Sequence, residues 1–187
     1  MQLTHEQLDK CIPNAADANI IKFLPFFNKY FDMYQIDTKE RVAAFLAQIC
    51  HESGSLKYVE EIADGTNYEF REDLGNLEFM AVQVAHTNHS TTGKWYKGHG
   101  LIQITGYYNH KKCGEALGID LVQHPKLLMQ TEYAVQSAMW FWNTHNCNAL
   151  ADVGDFRGIT RKINGGYNGL SERIAHWERI RKILNIL

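Results

Sequence analysis

Apolar residues recur at intervals of three and four along much of the chain, the spacing that keeps one stripe of a helix facing inward. The clearest stretch follows Asp37 and Thr38, where Val42, Phe45, Leu46, Ile49 and Cys50 share a face and Gly54 supplies a stop. Upstream, Thr4 and Gln7 have the spacing of a capping box, with Leu3 and Leu8 as the apolar staple that accompanies one. Asn109 is read as the cap of a helix ending at Gly118. Thr131 opens another, carrying Ala134, Val135, Ala138 and Met139. Asp155 starts a shorter helix with Phe156, Ile159 and Ile163, ending at Gly165-Gly166. Ser171 caps the last, which carries Ile174, Trp177, Ile180 and Leu184.

Residues 63–100 break this rhythm. They are rich in Gly, Asn, Asp, Thr and His and read as a long loop-rich excursion, a kind of segment that is commonly functional. Gly100 to Thr105 has the alternation of a very short strand. No repeat, low-complexity tract or Pro-rich linker divides the chain. The pattern therefore predicts a mainly α, single globular domain over residues 1–187, with N-terminal helices over 1–37, a core over 38–187 and a minimal β element.

The composition narrows the class. Over 187 residues, 45% are hydrophobic, 21% charged and only 3 are proline, which excludes disorder and low-complexity chains. A chain of this length buries roughly 70% of its unfolded surface and needs no disulfide staples. Its 19 Lys and Arg against 21 Asp and Glu give a net charge of −2, without the basic footprint of a nucleic-acid binder. No apolar run approaches the ~20 residues needed to cross a bilayer. Met1-Gln2-Leu3-Thr4-His5-Glu6 does not open a secretory signal, so a cytoplasmic product is expected. Cys11, Cys50, Cys113 and Cys147 are widely spaced and are expected to be reduced, partly buried thiols. No metal or other cofactor is expected. His145-x-Cys147 and His86-x-x-His89 do not have structural zinc spacings, and His51-Glu52 lacks the zincin's second histidine, because position 55 is Ser.

Chemistry concentrates in three islands. In His51-Glu52-Ser53-Gly54, Glu52 closes an apolar helix at the edge of the core, where partial desolvation favours the protonated form a general acid needs. Glu60 and Glu61 follow beyond the Gly54 break. Inverting glycoside hydrolysis uses two carboxyls ~6.5–9.5 Å apart with room for a water, and this spacing permits such a pair. The second island, Trp95 to Asn109, mixes glycines, aromatics, amides and hydroxyls as a sugar cleft does. The third is Ile163-Asn164-Gly165-Gly166, where Asn164 closes a helix; a plain glycine helix stop is its simplest reading.

In this order the islands resemble the lysozyme-like α+β fold of glycoside hydrolase family 19, which contains chitinases and bacteriophage or prophage endolysins. The matching features are Phe45 to Gly54, Tyr96-x-Gly98-x-Gly100-x-x-Gln103-x-Thr105-Gly106-x-x-Asn109, and Ile163-Asn164-Gly165-Gly166-x-Asn168-Gly169-Leu170, with Arg173 at a position where such proteins carry an arginine. The resemblance implies that Glu52 is the general acid, that Glu61 is the base with Glu60 in reserve, and that Thr105 helps to hold the attacking water. It implies substrate contacts from Gln103, Tyr108, Asn109 and Asn164, with Tyr96, Trp95 and Arg173 as looser candidates. His51 either orients Glu52 or packs. The chain departs from the family's usual Gly-Arg-Gly at Gly98-His99-Gly100, and a histidine there is expected to make activity more pH-sensitive. The short segment between Glu61 and Trp95 is more like that of phage and bacterial members.

The catalytic pair does not separate chitin from peptidoglycan. The small, signal-less chain without a wall-binding domain points to an endolysin held in the host bacterial cytoplasm. It would reach the periplasmic peptidoglycan after holin-type membrane opening and cleave between N-acetylmuramic acid and N-acetylglucosamine. A chitinase is the alternative, and a zinc-dependent N-acetylmuramoyl-L-alanine amidase a more distant one. The expected partner is the peptidoglycan glycan strand, met by a monomer with no nucleic acid and no stable membrane insertion. Arg173, Arg179, Arg181 and Lys182 make the last helix mildly basic, either as a solvated face or as a weak outer-membrane contact.

Overall fold

The computed structural model describes residues 1–187. Ten helices follow in order: α1 (His5–Cys11), α2 (Asp17–Tyr30), α3 (Lys39–Glu52), α4 (Phe79–Thr87), α5 (Thr92–Trp95), α6 (Tyr107–Leu117), α7 (Thr131–Thr144), α8 (Cys147–Asp152), α9 (Phe156–Asn164) and α10 (Leu170–Ile183). The only β pairing is a pair of isolated antiparallel bridges, Glu60 with His99 and His99 with Ile104. The expected mainly α class holds, with the β element smaller than a strand. The chain divides into two compact units, one formed by Met1–Lys57 with Ala138–Leu187, the other by Tyr58–Ser137.

The first unit is built around α3. Thr38 caps it by accepting from the Arg41 amide at 3.2 Å, and Thr4 caps α1 with the expected reciprocal bonds to Gln7. The one-sided stripe predicted for α3 understates its burial, because every residue from Val42 to Cys50 is buried. Ala43, Ala44 and Ala47 are small enough for neighbouring helices to close over the second face. Phe45 packs edge-on against Phe27, Phe31 and Trp142, with ring centroids 5.4–6.2 Å apart. α10 lies along α3. The helix stops where Ser53 Oγ donates back to the Ile49 carbonyl at 2.6 Å and accepts from the Leu56 amide at 2.8 Å. Gly54, Ser55 and Leu56 then take left-handed conformations in succession, which turns the chain sharply just after Glu52.

The second unit contains a helix that the pattern misses. α4 carries apolar residues on its exposed face as well as its buried one, with Ala81, Val84 and Ala85 buried while Phe79 and Met80 are exposed, so no stripe marks it. Elsewhere the boundaries shift. α6 begins at Tyr107 rather than after Asn109, and α10 at Leu170 rather than after Ser171, because glycines at 106 and 169 precede them. Asp155 caps α9 as expected, accepting from the Gly158 amide at 2.8 Å. All four cysteines are free and buried, and burial pushes the thiols of Cys11, Cys113 and Cys147 up to about 12. No helix is long and apolar enough to cross a membrane.

Candidate active site

In the first unit, Glu52 is the last residue of α3 and only 17% of its side chain is exposed. Its Oε1 lies 2.5 Å from Nη2 of Arg173, which projects from α10 and is itself 1% exposed. The same guanidinium donates from Nη1 to Gln48 Oε1 at 2.5 Å and from Nε to the Asn168 carbonyl at 3.1 Å. Gln48 in turn donates to Thr160 Oγ1 at 2.9 Å, and that hydroxyl donates to the Phe156 carbonyl at 3.0 Å. Glu52 Oε1 meets Arg173 as an ion pair without hydrogen-bond geometry, so its setting is a buried cation held from three helices and not the desolvation alone that the sequence suggests. The neighbouring His51 does not share it. Its Nδ1 lies 3.2 Å from Glu172 Oε2, and its ring fills the space where a side chain on Gly169 would sit.

In the second unit, Glu61 is held by neutral donors. Tyr68 donates its hydroxyl to Oε1 at 2.9 Å and the Gly98 amide donates to Oε2 at 3.0 Å. A Cβ at Gly98 would stand 2.7 Å from Gln103 Oε1 and 3.2 Å from Glu61 Oε2, so a side chain there would press on both. Glu60 points elsewhere, with Oε1 3.1 Å from Lys97 Nζ, 3.9 Å from His99 Nε2 and 4.0 Å from Lys126 Nζ. Of the two glutamates, Glu61 is held without a cation and Glu60 is taken up by ion pairs.

His99 differs from its expected role. It is 1% exposed and burial, with His110, Lys97 and Lys126 adding to it, pushes it down to about 3. Burial pushes its partner His110 to about 4. The tautomers follow from geometry. His110 Nδ1 lies 2.9 Å from the Gly106 carbonyl, which only accepts, so this nitrogen carries the proton. His110 Nε2 therefore accepts from His99 Nδ1 at 3.2 Å, and His99 Nε2 is left as a lone pair without a hydrogen-bond partner. A neutral, buried pair of this kind does not titrate near neutral pH. The expected pH sensitivity through His99 is corrected on that ground.

The remaining predicted residues fall in several places. Gln103, itself left-handed at φ 57°, donates to the Gly100 carbonyl at 2.8 Å. Thr105 donates to the Gln103 carbonyl at 2.9 Å and Asn109 to the Thr105 carbonyl at 2.8 Å, so these three form one hydrogen-bonded run. Tyr108 is exposed, bonds Glu78 through its hydroxyl, and lays its ring over Gly75. Asn164 closes α9 and accepts from the Asn168 amide at 3.2 Å. Two expected substrate contacts are corrected. Tyr96 is fully buried against Tyr107 and His110 and donates to the Val122 carbonyl, so it belongs to the core. Arg173 has its Nε, Nη1 and Nη2 engaged inside the protein and serves Glu52 instead of a sugar. Sequence reasoning missed Gln48, Thr160 and Tyr68. Only the burial of a glutamine inside an apolar helix hinted at the first. No three His, Cys, Asp or Glu side chains are gathered in a way that could hold a metal ion. On the last helix, Arg179 bonds the Cys11 carbonyl and Arg181 pairs with Glu40, leaving Lys182 exposed.

A profile of the family described as chitinase class I (Glyco_hydro_19) matches residues 16–153, spanning the first two islands. An Arabidopsis thaliana endochitinase, At2g43620, is 41% identical over 138 residues, covering 73% of this chain and 43% of that protein. A Haemophilus influenzae protein named as a glycosyl hydrolase family 19 domain-containing protein is 30% identical over 155 residues, covering 72% of this chain and 76% of that one. The chain spans about half the length, or less, of the Arabidopsis endochitinases it matches. Among solved structures, chitinase C from Streptomyces griseus superposes with a TM-score of 0.72 at 24% identity over 97% of this chain and 92% of that chain, which shows a shared fold. With the profile matched over most of its residues, the chain belongs to glycoside hydrolase family 19.

Proposed function

We infer that the protein hydrolyses β-1,4 bonds between N-acetylated hexosamines by an inverting, two-carboxylate mechanism. Glu52 gives its proton to the leaving glycosidic oxygen, and Arg173 at 2.5 Å stabilises the carboxylate that the transfer leaves behind. Glu61 takes a proton from the attacking water; its oxygens are oriented by Tyr68 and the Gly98 amide. Thr105 helps to hold that water, and Gln103, Tyr108, Asn109 and Asn164 contact the glycan. The observation that carries this reading is the difference in holding: within a family 19 chain, one glutamate rests on a buried arginine and the other on neutral donors.

Chitin-type polymers of N-acetylglucosamine are the first substrate, since the plant relatives are named endochitinases. Peptidoglycan is the second, cleaved between N-acetylmuramic acid and N-acetylglucosamine in an endolysin role from the host cytoplasm. It is favoured by the cluster Lys94, Lys97 and Lys126 beside Glu60, which a neutral polymer does not require. Incubating the full chain with chito-oligosaccharides and with purified peptidoglycan, followed by mass spectrometry, tests both. Shortened N-acetylglucosamine oligomers support the first, and reducing-end N-acetylmuramic acid the second. Release of free stem peptides without glycan cleavage would overturn the glycosidase assignment.

A further inference from the structure

Two depressions of about 350 and 370 Å³ in the second unit share Trp95 and Lys126. The first also carries Glu60, Asp64, Lys94 and Lys97. The charges there are unequally occupied. Lys97 is committed, with Glu60 at 3.1 Å and the Glu61 carbonyl at 3.0 Å. Asp64 turns to its own loop, accepting from the Thr66 amide at 3.0 Å and hydroxyl at 2.6 Å. Lys94 has no carboxylate within ion-pair distance, and Lys126, with 70% of its side chain exposed, approaches Glu60 only at 4.0 Å. Trp95 lies at the same place, half-buried and fixed by its Nε1 bond to the Val122 carbonyl at 3.1 Å.

An indole face suits a pyranose ring, whereas two cations with spare charge beside it contribute nothing to a neutral sugar. Resting on the glycosidase reading above, we propose that this Trp95–Lys126–Lys94 groove is a specificity site for an N-acetylhexosamine that bears a carboxylate arm. The arm is a lactyl ether or the acidic peptide attached to one. Lys97 bridges Glu60, which lines the groove, and the main-chain carbonyl of Glu61, its neighbour in the chain. The two cations thereby raise kcat/KM on carboxylate-bearing glycan relative to a groove without them, and leave turnover of neutral glycan of the same linkage unchanged.

The test compares kcat/KM of the full chain on soluble N-acetylglucosamine oligomers, on glycan strands carrying stem peptides, and on strands stripped to the lactyl group. In the double variant Lys94→Met/Lys126→Met, the ratio of carboxylate-bearing to neutral kcat/KM falls about tenfold, through KM. Lys94→Arg/Lys126→Arg keeps the ratio, and added salt lowers it in the parent more than in the methionine variant. A drop on both kinds of strand assigns the lactyl carboxylate, and a drop confined to peptide-bearing strands assigns the peptide. A ratio equal in parent and methionine variant overturns the proposal while leaving the glycosidase reading intact. Failure of the parent to cleave any of the three polymers overturns both.

Discussion

Glu52 and Glu61 are two glutamates in one chain held by opposite means. In the unit formed by Met1–Lys57 and Ala138–Leu187, a buried guanidinium grips Glu52, and that guanidinium is braced by residues far away in sequence. In the unit formed by Tyr58–Ser137, a phenol and a backbone amide orient Glu61, seven and thirty-seven positions away. The difference matches the work proposed for each. Arg173 is placed to steady the anion that Glu52 becomes once its proton has been given up, whereas Tyr68 and the Gly98 amide aim Glu61 without adding charge. It also separates their vulnerabilities, because losing one partner of a buried ion pair strands a charge, and losing a neutral donor only loosens an orientation.

The largest expected effect comes from the carboxylates themselves. Glu52→Gln and Glu61→Gln should each lower kcat by about 10³-fold, with the thermal melt retained in Glu61→Gln and lowered in Glu52→Gln, which leaves the buried Arg173 without its carboxylate. A melt unchanged alongside undiminished turnover in either variant would remove that residue from the mechanism. Arg173→Met should come next, costing ~3 kcal/mol or more in urea unfolding, since it leaves Glu52 and Gln48 without their buried donor. Tyr68→Phe should cost well under that in stability, and an equal loss from the two variants would erase the contrast between the two settings.

A pH titration of stability sharpens the comparison from the second unit. His99 and His110 are pushed down to about 3 and about 4, so the unfolded chain binds protons that the folded chain refuses. Above the ordinary histidine value near 6.5 neither group costs anything. As pH falls below it, folded stability is lost at ~1.4 kcal/mol per pH unit for each histidine, down to the folded values. Urea midpoints at pH 7 and pH 5 check this, and His99→Gln/His110→Gln should flatten the slope. The smallest effect expected is on turnover in Tyr68→Phe, a fall of about tenfold or less from a less well aimed Glu61.

The uneven legibility of the chain has a physical source. α3 could be read because its apolar residues repeat with the helical period and Thr38 and Gly54 bracket it. α4 could not, because Phe79 and Met80 are apolar yet exposed, which erases the stripe. Glu52 and Glu61 stood out through local motifs, and the Gln103–Thr105–Asn109 run is likewise local. The Arg173–Gln48–Thr160 relay was invisible, since it depends on side chains 112 and 125 positions apart. Burial is equally absent from a sequence, which is why Tyr96 and Arg173 look like sugar contacts until their surroundings are seen, and why His99 looks like a switch.

The most direct measurement is the anomeric form of the first product from β-linked N-acetylglucosamine oligomers, followed by proton NMR before mutarotation. Inversion by the two carboxylates requires the α-anomer from the parent chain and no product above background from Glu52→Gln or Glu61→Gln. Initial release of the β-anomer, or of the α-anomer at the parental rate by either variant, would contradict it.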